Sequence, residues 1–165
     1  MLGGRIVDES VFGGDFAANV WDGGLHGEIL NARPNHGAPY TQASAGYEYT
    51  LTTQWLPSGL YLLAEYFFNG AANRTDIIPF PDRLFSRVRH QFGFSAGYDL
   101  TPLWRVDGLV IADMVKGSAF ISPKLSWSVM ENVQLSWFML LFGGHPGSEF
   151  GDRANIYAMQ LEAYF

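Results

Sequence analysis

Long runs in which apolar and polar side chains alternate every second residue constrain this chain more than any other feature of its sequence. From Ala43 the odd positions read Ala43, Ala45, Tyr47, Tyr49, Leu51, Thr53 and Trp55; the even positions read Gln42, Ser44, Gly46, Glu48, Thr50, Thr52 and Gln54. A period of two belongs to a β-strand, whose successive side chains point to opposite faces. This run is roughly twice the ~5–6 residues usual for a strand of a soluble sheet. It matches the ~9–11 residues that a tilted strand needs to cross a bilayer.

The pattern recurs. Leu60, Leu62, Ala64, Tyr66 and Phe68 share one side of residues 59–70, and Phe92, Phe94, Ala96 and Tyr98 one side of 90–100. Trp104, Val106, Val110, Ala112 and Met114 do so in 103–116, and Ala119, Ile121, Leu125, Trp127 and Val129 in 118–129. Residues 133–142 alternate less cleanly, because Phe138, Leu140 and Phe142 fall with Gln134 and Ser136. Two weaker strands are expected near 11–21 and 24–32. The connections alternate in length. Short ones fall at Asp22-Gly23, Pro57-Ser58, 100–102 and 130–132; long ones at 33–40, 71–87 and 143–154, with the tight Lys116-Gly117 turn as the exception. Short turns alternating with long loops are the layout of a transmembrane barrel. The expected fold is therefore all-β: an antiparallel up-and-down transmembrane β-barrel with about 9–10 strands in this chain. Residues 1–165 would form a single β-barrel domain or the C-terminal part of a larger one. Trp21, Trp55, Trp104 and Trp127 all lie near a short turn, as an aromatic girdle at one membrane interface would.

In such a barrel the apolar face meets lipid and the polar face lines the interior. The lipid face is expected to hold Tyr47, Tyr49, Leu51, Leu60, Leu62, Phe92, Phe94, Val106, Val110, Ile121, Leu125, Leu135 and Leu161. The lumen-lining charges are then the acids Asp15, Glu28, Glu48, Glu65, Asp107, Asp113 and Glu162 and the bases Arg89, Arg105 and Lys124. The acid excess favours cations; alternatively these charges pair across strands and stiffen the interior. Arginine placed at Thr50 or Ser126 on this face should be mild. The 100–102 turn, taken as three residues, sets Tyr98 opposite Trp104, Phe94 over Gly108 and Arg89 opposite Asp113.

Several classes of chemistry are excluded or disfavoured. The 165 residues carry 16 Asp plus Glu against 10 Lys plus Arg, opposite to the basic face that nucleic acid requires. There is no cysteine, so disulfides and thiolate metal sites are ruled out. No apolar run approaches the ~18 residues of a membrane helix. Residues 1–9 lack the features of a signal peptide, so an exported form is expected to have lost a leader or upstream residues. His26, His36, His90 and His145 have no metal-ligand spacing. The loop at 143–152 holds Glu149 and Asp152 but no spaced oxygen series for calcium, and reads as a flexible acidic loop. No nucleophile sits beside a paired histidine on one strand face. Neither an enzyme nor a cofactor or metal site is expected. The apolar centre of the 71–87 loop, Ile77 to Pro81, is expected to leave water: as a constriction in the lumen, against a partner, or packed on the rim.

The chain ends Tyr157-Ala158-Met159-Gln160-Leu161-Glu162-Ala163-Tyr164-Phe165. Tyr157, Met159, Leu161, Ala163 and Phe165 share one face, and the last residue is aromatic. This segment resembles the C-terminal signature of bacterial outer-membrane β-barrel proteins, with Ala163 a departure where that family often has a bulkier residue. The resemblance implies an outer-membrane location. It also implies that Tyr157, Met159, Leu161 and Phe165 form an assembly signal read by the periplasmic chaperone and the barrel-assembly machinery. Counting strands back from Phe165 gives nine. Single-chain barrels of this kind have an even number, so upstream sequence or a second chain is expected to complete the wall. Met1 to Asp8 is the alternative tenth strand, closing the ring within one chain. The implied function is porin-like passive transport of small, cationic solutes. The alternatives are a structural barrel or sheath component of a multi-subunit outer-membrane complex, and a soluble barrel holding an apolar ligand.

Overall fold

The computed structural model describes residues 2–6 as backbone only, and residues 9–72 and 88–164 with their side chains. The described chain is one antiparallel sheet, with β1 Leu2–Ile6, β2 Glu9–Val20, β3 Gly23–Pro34, β4 Tyr40–Thr53 and β5 Leu56–Asn69. It continues through β6 His90–Thr101, β7 Trp104–Asp113, β8 Ser118–Met130, β9 Val133–Gly143 and β10 Ile156–Ala163. Each strand pairs with its neighbours in sequence, in the order β1 to β10. The strands from β2 to β9 are 10–14 residues long. Every strand expected from the alternation is present, and Leu2–Ile6 adds a tenth of 5 residues. That strand pairs with β2 (Leu2 with Gly13, Ile6 with Glu9) and not with β10, so the sheet does not close into a barrel among the described residues.

The turns differ in detail from expectation. The β2–β3 turn is Trp21-Asp22, both at positive φ (48° and 62°), the left-handed pair whose twist matches that of a hairpin. Gly23 is already in the ladder, opposite Val20. The β4–β5 turn is Gln54-Trp55, not Pro57-Ser58. The Thr53 hydroxyl accepts hydrogen bonds from the N–H groups of Trp55 (3.3 Å) and Leu56 (3.2 Å). Thr101 does the same for Leu103 (3.2 Å) and Trp104 (3.1 Å), so the β6–β7 turn is Pro102-Leu103. The register slips at Asp99/Thr101, leaving Leu100 as a bulge.

The turn at Pro102-Leu103 and the bulge together move the expected register by two residues. Tyr98 faces Val106, Phe94 faces Val110, and Gly108 faces Ala96. A shift of two preserves the faces but changes the partners. Nothing lies within 4 Å of a Cβ built on Gly108, so no ring covers it. An aromatic covering a bare glycine occurs instead at Phe16, whose ring occupies the space beside Gly27 directly opposite. Asp113 is paired with Gln91 rather than Arg89. It ends β7 before Met114, because its carboxylate accepts from Val115 N (2.8 Å) and Lys116 N (3.0 Å).

Cross-strand partners share a face, so the registers trace the two faces from β2 to β10. The buried strand residues other than glycine are Glu9, Ala32, Tyr40, Asn69, Asp113, Ser118, Ser126 and Ser136. All lie on the face that carries the charges. On the opposite face Phe12, Phe16, Ile29, Tyr66, Phe92, Phe94, Val106, Ile121, Trp137 and Met139 are exposed. The sheet thus buries serine, asparagine and aspartate while presenting aromatic and aliphatic side chains outward, the inverse of a water-soluble sheet. Ser126, expected to tolerate arginine, is only 4% exposed. Its hydroxyl lies 3.1 Å from that of Ser136, so it has no room for a longer side chain.

Candidate functional site

The candidate site is the polar face. Asp15, Glu28, Glu48, Glu65, Arg105, Asp107, Asp113, Lys124 and Glu162 all lie on it, brought together by the registers Asp15–Glu28, Gly24–Glu48, Gly46–Glu65, Asp107–Lys124 and Glu162–Gln134. Arg89 adjoins the first residue of β6. The face has two electrostatic halves. Across β2 to β5 it carries Glu9, Asp15, Glu28, Glu48 and Glu65 and neither Lys nor Arg. Asp15 and Glu28 stand directly opposite each other, a like-charge pairing that costs stability unless water or a cation separates the carboxylates. Across β6 to β8 it carries Arg105 and Lys124 with Asp99, Asp107 and Asp113.

Two glycines make room for the ion pairs of this face. Gly46 lies between His26 and Glu65 on adjacent strands. A Cβ there would collide with the imidazole, so the missing side chain lets His26 Nε2 reach across to Glu65 Oε2 at 3.3 Å. Beside Gly97, Arg105 donates to Asp107 (2.9 and 3.2 Å) and Asp99 (3.2 Å). A Cβ on Gly97 would meet both the guanidinium and the Asp107 carboxylate. Neutral groups complete the network. Tyr61 donates to Glu48 (2.9 Å), Tyr40 to Glu9 (3.1 Å) and Gln42 to Asn69 (2.9 Å). Pairing thus consumes Arg105 and half-engages Glu65, and the surplus charge on the face remains acidic.

At the long-loop end, the segment between β9 and β10 folds onto this face. Phe150 is buried, with its ring centroid 6.2 Å from Phe120 and 6.4 Å from Phe142. Those two rings pair across β8 and β9 on the polar side, 5.1 Å apart. Asp152 accepts from Gly147 N (2.7 Å), Ser148 Oγ accepts from Gly151 N (3.1 Å), and Lys116 Nζ donates to Gly147 O (3.0 Å). The expected flexible acidic loop is in fact an ordered cap. Its acids hold the loop's own backbone and Arg153, which lies 3.5 Å from Glu149. Residues 73–87, where a constriction was expected around Ile77 to Pro81, lie outside the described residues.

The short-turn end carries the tryptophans. Trp21 and Trp55 occupy turns and are 86% and 88% exposed. Trp104 faces Trp127 across the β7–β8 ladder, with rings 5.3 Å apart and nearly parallel. Trp137 joins them 6.2 Å from Trp104; its odd position beside Leu135 was the available signal, obscured by the mixed pattern of β9. Phe150 was missed because no periodicity operates in a loop, and Glu9 because it lies at a strand end; the alternation of 90–100 does put Asp99 on the polar side, where it is found. Tyr157, Met159 and Leu161 sit on the apolar face of β10 opposite Met139, Trp137 and Leu135; Phe165 is outside the described residues. Among the described residues no three His, Asp or Glu are grouped to hold a metal ion. No helix there is long and apolar enough to cross a membrane, which says nothing of strands. Compared with protein-family models, curated proteins and solved structures, the chain matches none.

Proposed function

We propose that this chain forms the wall of a porin-like channel in the bacterial outer membrane, through which small cationic solutes pass passively. The observation that carries the proposal is the inverted sheet: buried strand residues on the charged face, exposed rings and aliphatic chains on the other. Hydrocarbon on one side and water on the other would satisfy both faces at once. The strand lengths and the tryptophans at one rim support the same reading, with the bilayer as partner. The acid-only stretch from Asp15 to Glu65 supports cation preference. Reversal potential across a planar bilayer in a salt gradient is the test. Cation preference is expected, and clear anion preference would reject the charge assignment. Failure to partition into detergent would reject the membrane itself.

The open sheet favours a second reading, in which the chain is one structural part of a larger outer-membrane barrel or sheath. Tyr157, Met159 and Leu161 on β10 are 68%, 66% and 67% exposed, against 40% and 39% for Phe92 and Phe94 inside the sheet. A free edge in lipid leaves backbone groups without partners. An upstream segment or second polypeptide pairing with β10 would remove that cost. On either reading the chain's last segment, with Tyr157, Met159 and Leu161 of β10 and the terminal Phe165, is offered to the barrel-assembly machinery. Conductance by the purified chain separates the two.

A further inference from the structure

Between the folded β9–β10 cap, the β7–β8 turn and the start of β6 lies a cavity of about 490 Å³, within the range of small-ligand sites. The turn is tied to β6 by Met114 N, which donates to His90 O at 3.0 Å; this sets Arg89 beside the turn that carries Lys116.

The polar groups lining the cavity divide unequally. Asp113 is 2% exposed and caps Val115 N and Lys116 N, with Ser118 Oγ at 3.4 Å. Asp152 accepts from Gly147 N, and Ser148 Oγ accepts from Gly151 N. Glu149 is paired with Arg153. Each acid therefore has a partner in the walls. Of the three lining cations Arg153 is held by Glu149, whereas the Arg89 guanidinium has no side-chain hydrogen bond or ion pair among the described residues, and Lys116 spends one of its three donors on Gly147 O. Arg89 and Lys116 thus bring spare N–H donors to the cavity. A guanidinium and an ammonium with spare N–H groups match the geometry of an oxyanion.

We infer that this cavity binds the oxyanion group of a water-soluble solute, a carboxylate or a phosphate, with Arg89 and Lys116 as its donors. The site opens on the polar face rather than the apolar one, so the ligand comes from water and not from lipid. It is also independent of conduction, so its test can fail or succeed apart from the channel reading.

The test is calorimetric titration of the full chain, folded in zwitterionic micelles, with inorganic phosphate at constant ionic strength. Saturable binding is expected. Arg89→Gln and Lys116→Gln should each weaken it by at least about tenfold, the loss expected for one charge-assisted hydrogen bond. Arg33→Gln, an exposed arginine on the apolar face, should leave it unchanged. Arg89→Lys, which keeps the charge, should restore part of the affinity and covers the case in which Arg89→Gln folds poorly. Absence of saturation, or equal weakening by all three glutamine variants, would overturn the proposal. So would displacement of phosphate by phosphatidylglycerol doped into the micelles, which would place the anion on a lipid headgroup.

Discussion

Arginine at Val110 is the most direct test of which face meets lipid. Val110 lies on the exposed apolar face between Phe94 and Ile121. It is six residues along β7 from Trp104. At ~3.3 Å per residue and a strand tilt near 40°, that is about 15 Å of depth from the tryptophan rim. Half of a ~30 Å hydrocarbon core is the same distance, so the proposed membrane placement puts Val110 close to the midplane. There an arginine costs about 2–4 kcal/mol, or about 30- to 900-fold in the folded-to-unfolded ratio. The matched control is Ser122→Arg, one strand away at the same depth, beside Ile121 and opposite Leu109 on the polar face. On the water-filled side that the channel proposal gives this face, its cost should stay below about 1 kcal/mol. The assay is equilibrium urea unfolding of the chain in phospholipid vesicles, followed by tryptophan emission. Equal costs for the two variants, or a larger cost for Ser122→Arg, would refute the assignment of faces.

Three further outcomes follow from the geometry. Cysteines replacing Ala96 and Gly108, which face each other, should cross-link under mild oxidation in this otherwise cysteine-free chain, whereas a Phe94/Gly108 cysteine pair should not; gel mobility reads the difference. Asp113→Ala removes a buried acceptor of two backbone N–H groups and should cost about 1–3 kcal/mol in the same unfolding assay. Phe150→Ala should release the β9–β10 cap from Phe120 and Phe142, with a loss of up to about 3–5 kcal/mol of local packing. Limited proteolysis should then cut within residues 144–155 while the strands stay intact, and unchanged protection there would count against an anchoring role.

Strand existence and facing were legible because period two is a local property. The acids at Asp15, Glu28, Glu48 and Glu65 could be put on one face without knowing any pairing, and the registers keep them there. Turn chemistry was harder to read. Thr53 and Thr101 cap their turns with a hydroxyl, and this displaced the turns from the Pro57-Ser58 and 100–102 positions that proline and serine suggest. The displaced turn and the one-residue bulge at Leu100 together moved every partner along β6 and β7 by two. The bulge flips the alternation, with Asp99 opposite Arg105 on the charged face and Thr101 opposite Trp104 on the apolar one, but only Thr101 follows it in β6, too short a run for the break to show in the sequence.

The sequence by itself determined an all-β meander with one charged and one apolar face, because both follow from side-chain alternation along single strands. Only the tertiary structure decided which face is buried. Burial depends on how neighbouring strands crowd side chains together, and here it selected Ser126, Ser136, Asn69 and Asp113 over Phe92 and Phe94. It also decided that the segment after β9 is a cap, because Phe150 gains its site only when β8 and β9 bring Phe120 and Phe142 side by side. That β10 pairs only with β9 among the described residues is likewise a tertiary fact. Closure depends on how far the sheet curls over all its strands, and no local run of residues encodes that sum.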